Sequence, residues 1–162
     1  MFNLEKFFDQ LFPIYRSITG DGYRQSFNLI KKFIPFKKYK YQSGKKVFDW
    51  ELPKEWNIKE AYVKNLRGGK IIDFNRNNLH LMSYSTPVKK VMPLSELNKN
   101  LHSITHLPKY IPYVTSYYKK NWGFCITKNQ FKKLKKGKYK VKIDSTLTDG
   151  KISVSQCKIP GK

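Results

Sequence analysis

The chain has 162 residues, of which 33 are Lys or Arg and 11 are Asp or Glu, so its formal net charge is +22. Its length predicts about one domain, or one domain and part of a second. With 40% hydrophobic and 15% aromatic residues, it has enough apolar material for a packed core, which excludes wholesale disorder.

The chain also lacks features of export and membrane insertion. It has no apolar run of about 18 residues and no secretory signal, so we expect no transmembrane segment. Its two cysteines, Cys125 and Cys157, form neither a disulfide framework nor a zinc-binding pair. A reduced, cytoplasmic chain is therefore expected.

The positive charge comes mainly from lysine, since the chain has only four arginines. Lys, Asn and Ile have AT-rich codons, so a coding bias that puts Lys on exposed positions explains much of the excess without any partner. A field of this size nevertheless attracts phosphates and other anions. The charge therefore favours an alternative function, a Lys-rich module that binds nucleic acid or other polyanions. That alternative predicts one continuous basic surface, whereas coding bias predicts an even spread of lysines.

Two amphipathic helices are predicted first along the chain. Over residues 3–12 the apolar positions recur at helical spacing, Asn3 is a plausible N-cap and Pro13 ends the helix. A second helix is predicted over residues 21–34, because its apolar residues lie on one face and Pro35 follows. A glycine-bounded loop separates the two helices.

From residue 36 the apolar period changes to two residues, which predicts short strands. Gly68-Gly69 predicts a tight hairpin between two of them, and Asp149-Gly150 predicts a hairpin that pairs the last two strands. The order of elements predicts an α+β fold, with N-terminal helices followed by a mainly antiparallel β module. The predicted strands cover residues 36–41, 46–52, 61–66, 70–74, 80–85, 113–118, 123–126, 138–143 and 151–157, with short helices over residues 94–101 and 128–134.

The sequence contains no familiar catalytic motif: the nucleophile elbow, the P-loop, the dinucleotide-binding glycines and the HExxH pair are all absent. His102 and His106 can share a helical face, but no carboxylate lies nearby and Pro108 opposes a long helix, which disfavours a metal site. No two carboxylates are placed as an acid and a base. Cys125 lies in an apolar strand, where a buried core thiol is expected.

Four longer strings carry more information than any single residue. They occur at residues 11–20 (LFPIYRSITG), 47–58 (VFDWELPKEWNI), 115–125 (TSYY and NWGFC) and 143–150 (IDS, then Leu147 and DG). The strings resemble a bacterial family of aminopeptidase-like proteins that are often encoded among polysaccharide-biosynthesis genes. They follow the order and spacing of that family, and the resemblance covers nearly the whole chain.

The resemblance implies a longer protein, with a zinc-aminopeptidase-like α/β domain, a β-rich domain inserted into it and a winged-helix-like domain at its end. Residues 1–50 would then be the N-terminal part of the α/β domain and residues 51–150 the inserted β-rich domain. Residues 151–162 would be the strand that returns to the α/β domain. The family's zinc ligands and catalytic Glu would follow Gly161, beyond the last residue.

The resemblance thus implies an N-terminal fragment, non-catalytic by itself. No catalytic or metal-binding residue is assigned, and no cofactor is expected in this chain, although zinc is implied for the full-length family. A module beside a catalytic cleft often shapes substrate access. Arg16, Tyr117, Tyr118 and Trp122 are therefore candidates to face such a cleft, the alternatives being local capping by Arg16 and core packing by Trp122.

The resemblance also has consequences for partners. Most of the α/β sheet would be missing from this chain, so the apolar faces that contain Phe7 and Leu11, and Phe27 and Ile30, are expected to lack cover. The missing C-terminal part of the protein, or a second copy of this chain, is the expected partner.

Overall fold

The computed structural model describes residues 3–161, which form two compact units. The terminal unit contains the described residues up to Asn57 and from Leu147 onward, and the central unit is Ile58–Thr146. The α-helices are α1 (Leu4–Leu11), α2 (Asp21–Ile30), α3 (Leu94–Leu97) and α4 (Lys128–Lys132). The strands are β1 (Lys37–Gln42), β2 (Lys46–Val47), β3 (Trp50–Glu51), β4 (Glu55–Asn65), β5 (Lys70–Asp73), β6 (Val88–Pro93), β7 (Leu101–His102), β8 (Phe124–Cys125), β9 (Lys138–Thr148) and β10 (Lys151–Gln156). The predicted α+β class is confirmed.

The two helices of the terminal unit form where the sequence predicts them. The Asn3 side chain accepts a hydrogen bond from the Lys6 amide at 2.9 Å, so Asn3 is the N-cap of α1, as expected. The second helix is shorter than predicted, because α2 ends at Ile30 and residues 31–34 continue as turns.

The strands of the terminal unit differ from the prediction in two ways. The prediction of a single strand over residues 46–52 is wrong. The structure has two strands of two residues there, β2 and β3, joined by a turn in which Phe48 has a φ of 54°. The final hairpin is also wrong, because β10 pairs antiparallel with β1 and not with β9.

The sheet of the central unit has the order β5-β4-β9-β6. The hairpin β4–β5 is confirmed and turns at Gly68, whose φ of 91° is one that glycine adopts readily. Strands β6 and β9 pair antiparallel over their whole contact, whereas β7 and β8 pair parallel. Most pairing in the chain is antiparallel, as predicted.

Two further strands are absent where the sequence predicts them. Residues 78–80 form a 3₁₀ turn, and residues 81–85 make only single bridges, from Leu81 to Phe124 and from Ser83 to Thr115. The segment over residues 113–118 has no strand either. In both segments side chains and isolated main-chain bonds, such as that from the Ser83 amide to the Val114 carbonyl, satisfy polar groups in place of a ladder.

Most of the buried apolar side chains belong to the central unit. Among the described residues of the terminal unit, four apolar side chains are buried, those of Phe27, Leu29, Leu52 and Trp56. Phe27 is covered by Tyr23 and Phe36, with ring centroids at 4.6 and 5.6 Å, so the expectation that its face lacks cover is wrong. The buried apolar residues of the central unit include Ala61, Val63, Ile72, Leu81, Met82, Met92, Leu97, Phe124, Cys125, Ile126, Val141 and Ile143.

None of the helices in residues 3–161 has both the length and the apolar character needed to cross a membrane. The predicted domain boundaries at residues 50 and 150 refer to a longer protein and stay a prediction.

Candidate functional site

Four tyrosines of the central unit form the candidate site, which we call the tyrosine cluster: Tyr84, Tyr113, Tyr117 and Tyr118. Tyr84 is buried, whereas Tyr113 and Tyr118 are 60% and 79% exposed. The Tyr117 ring stands almost perpendicular to that of Tyr84, with centroids 4.9 Å apart, and contacts Tyr118 at 6.4 Å. The tyrosine cluster therefore has one buried ring, that of Tyr84, and two rings that solvent and ligands can reach, those of Tyr113 and Tyr118.

Main-chain hydrogen bonds place the two segments of the cluster side by side. The Ser83 amide donates to the Val114 carbonyl at 2.9 Å, and the Ser116 amide donates to the Ser83 carbonyl at 3.0 Å. Tyr84 directly follows Ser83 and has a φ of 63°, an uncommon value for a bulky residue. The sharp change of direction at Tyr84 is thus held by hydrogen bonds on its N-terminal side.

A buried serine network holds the cluster from below. The Ser85 hydroxyl donates to the Met82 carbonyl at 2.6 Å and accepts from the Gly123 amide at 3.2 Å. The Ser145 hydroxyl donates to the Ser85 carbonyl at 2.7 Å. Buried polar groups that are satisfied in this way rigidify their surroundings. These hydrogen bonds therefore fix the main chain next to Tyr84, on which the Tyr117 ring packs.

The phenol groups of the cluster interact with one another. The hydroxyls of Tyr113 and Tyr117 lie 3.3 Å apart. Loss of hydration, followed by this hydrogen bond, raises the pKa of Tyr113 to about 12. Tyr113 is consequently a neutral phenol at pH 7, which can donate and accept hydrogen bonds but cannot act as a base. The cluster is suited to binding rather than to proton abstraction.

Trp122 lies beside the cluster in sequence and is half-buried. Its amide donates to the Asn121 side chain at 2.8 Å, and its carbonyl accepts from the Asn100 side chain at 2.7 Å. These bonds fix the main chain of Trp122.

Arg16 belongs to the terminal unit, whereas the other three candidates, Tyr117, Tyr118 and Trp122, belong to the central unit. Its guanidinium donates to the carbonyl oxygens of Leu11 and Ile14, the second at 3.4 Å. Burial lowers the pKa of Arg16. The side chain satisfies carbonyls at the C-terminal end of α1, where a positive charge is favourable. In this structure Arg16 therefore caps a helix locally.

The histidines and cysteines do not assemble into a site. His80 is buried and its Nδ1 donates to the Cys125 carbonyl at 2.8 Å, which fixes the tautomer. Burial lowers the pKa of His102, while His106 is exposed. Within residues 3–161, no three side chains of His, Cys, Asp or Glu are grouped so that they could hold a metal ion. The described residues do not fit a zinc site.

The Cys125 thiol is fully buried, as predicted for a core residue. Burial raises its pKa to about 12, so the thiol stays protonated and is a poor nucleophile at pH 7. Cys157 is also a free thiol, but it is exposed.

The glycine-bounded loop of the terminal unit contacts the start of β4. The Trp56 amide donates to the Thr19 hydroxyl at 3.0 Å, and the Asp21 amide donates to the Asn57 side chain at 2.7 Å. A Cβ on Gly20 would overlap the Trp56 carbonyl oxygen, so only glycine fits there. Two of the strings that carry the family resemblance, residues 11–20 and 47–58, thus meet in space.

An ion-pair network extends this junction. The Arg24 guanidinium donates to Glu55 at 2.7 Å and also binds Asp21. Asn57 donates to the same Glu55 oxygen at 3.2 Å. The hydrogen bond from Arg24 is the main reason why the pKa of Glu55 lies below its ordinary value. Residue patterns alone did not reveal this network, because its members lie on α2 and β4, more than thirty residues apart.

The central unit of the chain matches a known protein family. Residues 55–146 match the family described as Domain of unknown function (DUF2172). The chain belongs to this family. The matched residues include the whole central unit, and with it the tyrosine cluster.

A protein of Clostridium acetobutylicum, provisionally named a polysaccharide biosynthesis protein with an aminopeptidase-like domain, is 53% identical over 154 residues. These residues are 95% of this chain and 36% of that protein. The crystal structure of a provisionally assigned peptidase from C. acetobutylicum matches 93% of this chain and 36% of its own, with a TM-score of 0.88 and 53% identity. The chain thus spans about a third of the relative's length, and the predicted resemblance to aminopeptidase-like proteins is confirmed.

Proposed function

We propose that this chain corresponds to the N-terminal portion of an aminopeptidase-like, zinc-peptidase-like protein, and that it is not catalytic by itself. One observation carries the proposal: 95% of the chain is 53% identical to a relative named for an aminopeptidase-like domain, of which it spans 36%. In the proposed protein, the zinc ligands and the catalytic Glu come from the remaining length. The described residues of this chain do not fit zinc.

Exposed apolar side chains in the terminal unit support this proposal. Phe8 and Phe12 stack on one another with ring centroids 5.0 Å apart, and Phe12 is 61% exposed. Leu4, Phe33 and Ile34 are also exposed. Exposed patches of this kind are typical of surfaces that pack against another part of a protein. The proposed partner is the rest of the α/β domain.

In the proposed protein, the tyrosine cluster lies along the approach to the catalytic cleft and helps to bind the substrate. The exposed ring of Tyr118, the half-buried ring of Tyr117 and the neutral Tyr113 phenol support a binding role. Trp122 and Arg16 stay candidates to face the cleft. If this is right, replacing by Ala the residue of the C. acetobutylicum relative that occupies the position of Tyr118 raises KM while kcat is kept.

We propose that the protein is cytoplasmic. Support comes from its two free cysteines, one of them exposed, since an exposed free thiol is more typical of a reducing compartment than of secreted proteins.

The experiment compares the purified chain with the full-length C. acetobutylicum relative on a set of aminoacyl 4-nitroanilides, with added Zn²⁺ and with a chelator. The chain is expected to release no nitroaniline above the buffer rate under any condition. Chelator-sensitive hydrolysis by the chain alone would contradict the proposal. Gel filtration of the chain at several concentrations reports in parallel whether the exposed Phe8–Phe12 surface pairs two copies.

A further inference from the structure

A groove of about 710 Å³ lies in the central unit, between the β4–β5 turn and the segment that follows α4. We call it the basic groove, because five of its lining residues are cationic: Arg67, Lys133, Lys135, Lys136 and Lys138. All five are exposed. None of the lining residues is acidic.

Local structure fixes the two walls of the groove. Arg67 precedes Gly68 at the tip of the β4–β5 hairpin. The lysine wall follows α4, whose start is secured by a capping box between Thr127 and Gln130. Farther along, the buried Tyr139 donates its hydroxyl to the Lys135 carbonyl at 2.6 Å. The lysines therefore stand on a main chain that is held at both ends.

The charge of the groove is not balanced within the described residues. The ion pairs among the described residues involve the cations Arg24, Lys54, Lys70 and Lys142. None of these pairs includes a cation of the basic groove. Like charges around a concave surface repel one another and raise the local positive potential. An anion with several charges would relieve that repulsion, which no carboxylate of the described residues does.

The other lining groups indicate which anion fits. The side-chain oxygens of Asn65 and Gln130 accept from the Gly69 and Thr127 amides, so the NH₂ groups of both side chains remain as donors for hydroxyls. Leu66 is 64% exposed and offers an apolar face to a sugar ring. Among the described residues that line the groove, Tyr139 is the only aromatic one, and it is buried and cannot stack a base.

We propose that the basic groove binds an acidic polysaccharide, whose carboxylates pair with the five cations and whose hydroxyls pair with the amides. The site lies within the residues matched to the family and does not depend on peptidase chemistry. RNA fits the groove less well, because single strands gain much of their affinity from bases that stack on aromatic rings, and no exposed aromatic ring lines the described part of the groove.

The test measures binding of the full chain to an end-labelled oligogalacturonate by fluorescence anisotropy, over a series of NaCl concentrations. The groove variant carries R67Q, K133Q, K135Q and K136Q. The matched control variant carries K37Q, K40Q, K89Q and K90Q. It removes the same charge from exposed lysines of β1 and β6 that form no ion pair within the described residues. A polyuridylate with the same number of charges and neutral dextran serve as competing ligands, and circular dichroism checks folding.

The groove variant is expected to bind the oligogalacturonate about tenfold more weakly at low salt, with a shallower salt dependence, while the control changes about twofold or less. Equal losses in the two variants would overturn the proposal, because net charge alone would then explain binding. Tighter, groove-dependent binding of the polyuridylate would replace the polysaccharide with RNA. If the groove variant does not fold, R67Q alone decides, with K89Q as its control.

Discussion

Gly20 is a single residue through which the segment over residues 11–20 contacts the start of β4. Its φ of 89° and ψ of −178° belong to a region that is essentially restricted to glycine. A Cβ on residue 20 would overlap the Trp56 carbonyl oxygen, and the hydroxyl of the neighbouring Thr19 accepts a hydrogen bond from the Trp56 amide. Two separate constraints, backbone conformation and space, therefore demand glycine at this position.

Replacing Gly20 by Ala is expected to destabilise the chain by about 2–4 kcal/mol, the sum of backbone strain and overlap. The matched control is Gly44→Ala, since Gly44 has a similar φ of 80° but nothing within 4 Å of the added Cβ. That variant should lose only about 1–2 kcal/mol. Urea denaturation of the two variants measures the difference, and equal losses would show that the overlap with Trp56 is relieved at no cost.

At the scale of elements, the network around Glu55 ties three parts of the terminal unit together. Arg24 comes from α2, Glu55 begins β4, and the Lys151 amide at the start of β10 donates to Glu55 at 3.4 Å. Since only 13% of the Glu55 side chain is exposed, its carboxylate depends on these partners. The charged form is therefore favoured in the folded chain.

This network predicts a pH dependence of stability. The folded-state pKa of Glu55 is depressed, chiefly by Arg24, so its contribution is full above the unfolded value of about 4.3 and is lost as pH falls through the folded value. Glu55→Gln should flatten the free energy of unfolding below about pH 5 relative to the parent chain. The exposed pair Lys54–Asp149 supplies the control, because Asp149→Asn should change this profile little. An unchanged profile in Glu55→Gln would contradict the assignment.

The sequence predicts elements well where local chemistry decides them. Asn3 caps α1, and Gly68-Gly69 turns the β4–β5 hairpin, because capping and positive φ are properties of a few neighbouring residues. The alternation over residues 46–52 is misleading, since Phe48 lies in a turn and is fully exposed. Strand β10 follows β9 closely but pairs with β1, a long-range choice that turn signals do not encode.

In the candidate site, too, the sequence predicts local features but not long-range contacts. The density of tyrosines between residues 110 and 118 is visible in the sequence and points to this region. That Tyr84 joins them is not visible, because the contact depends on main-chain bonds from Ser83 across thirty residues. The local capping role of Arg16 in the structure was one of two readings that the sequence left open.

At the scale of the whole molecule, apolar burial is divided unevenly between the units. The central unit holds most of the buried apolar side chains, whereas every residue of β1 in the terminal unit is exposed. Local stability follows the burial of apolar contacts around a segment. The two units should consequently differ in how often they open.

Native-state hydrogen exchange on the full chain measures this difference. Amides of β9 that lie within the central unit, such as those of Val141 and Ile143, are expected to exchange at least about tenfold more slowly than those of Tyr39 and Tyr41 in β1. Equal protection in β1 and β9 would show that the terminal unit gains stability from contacts other than apolar burial.

The contrast between the two cysteines has a practical consequence. Only Cys157 combines exposure with a free sulfur, because Cys125 is enclosed and stays protonated. A maleimide dye should therefore modify the unaltered polypeptide at a single, known position near its carboxyl end. Spectroscopists can attach a reporter there, or tether the molecule to a surface, without engineering a cysteine first.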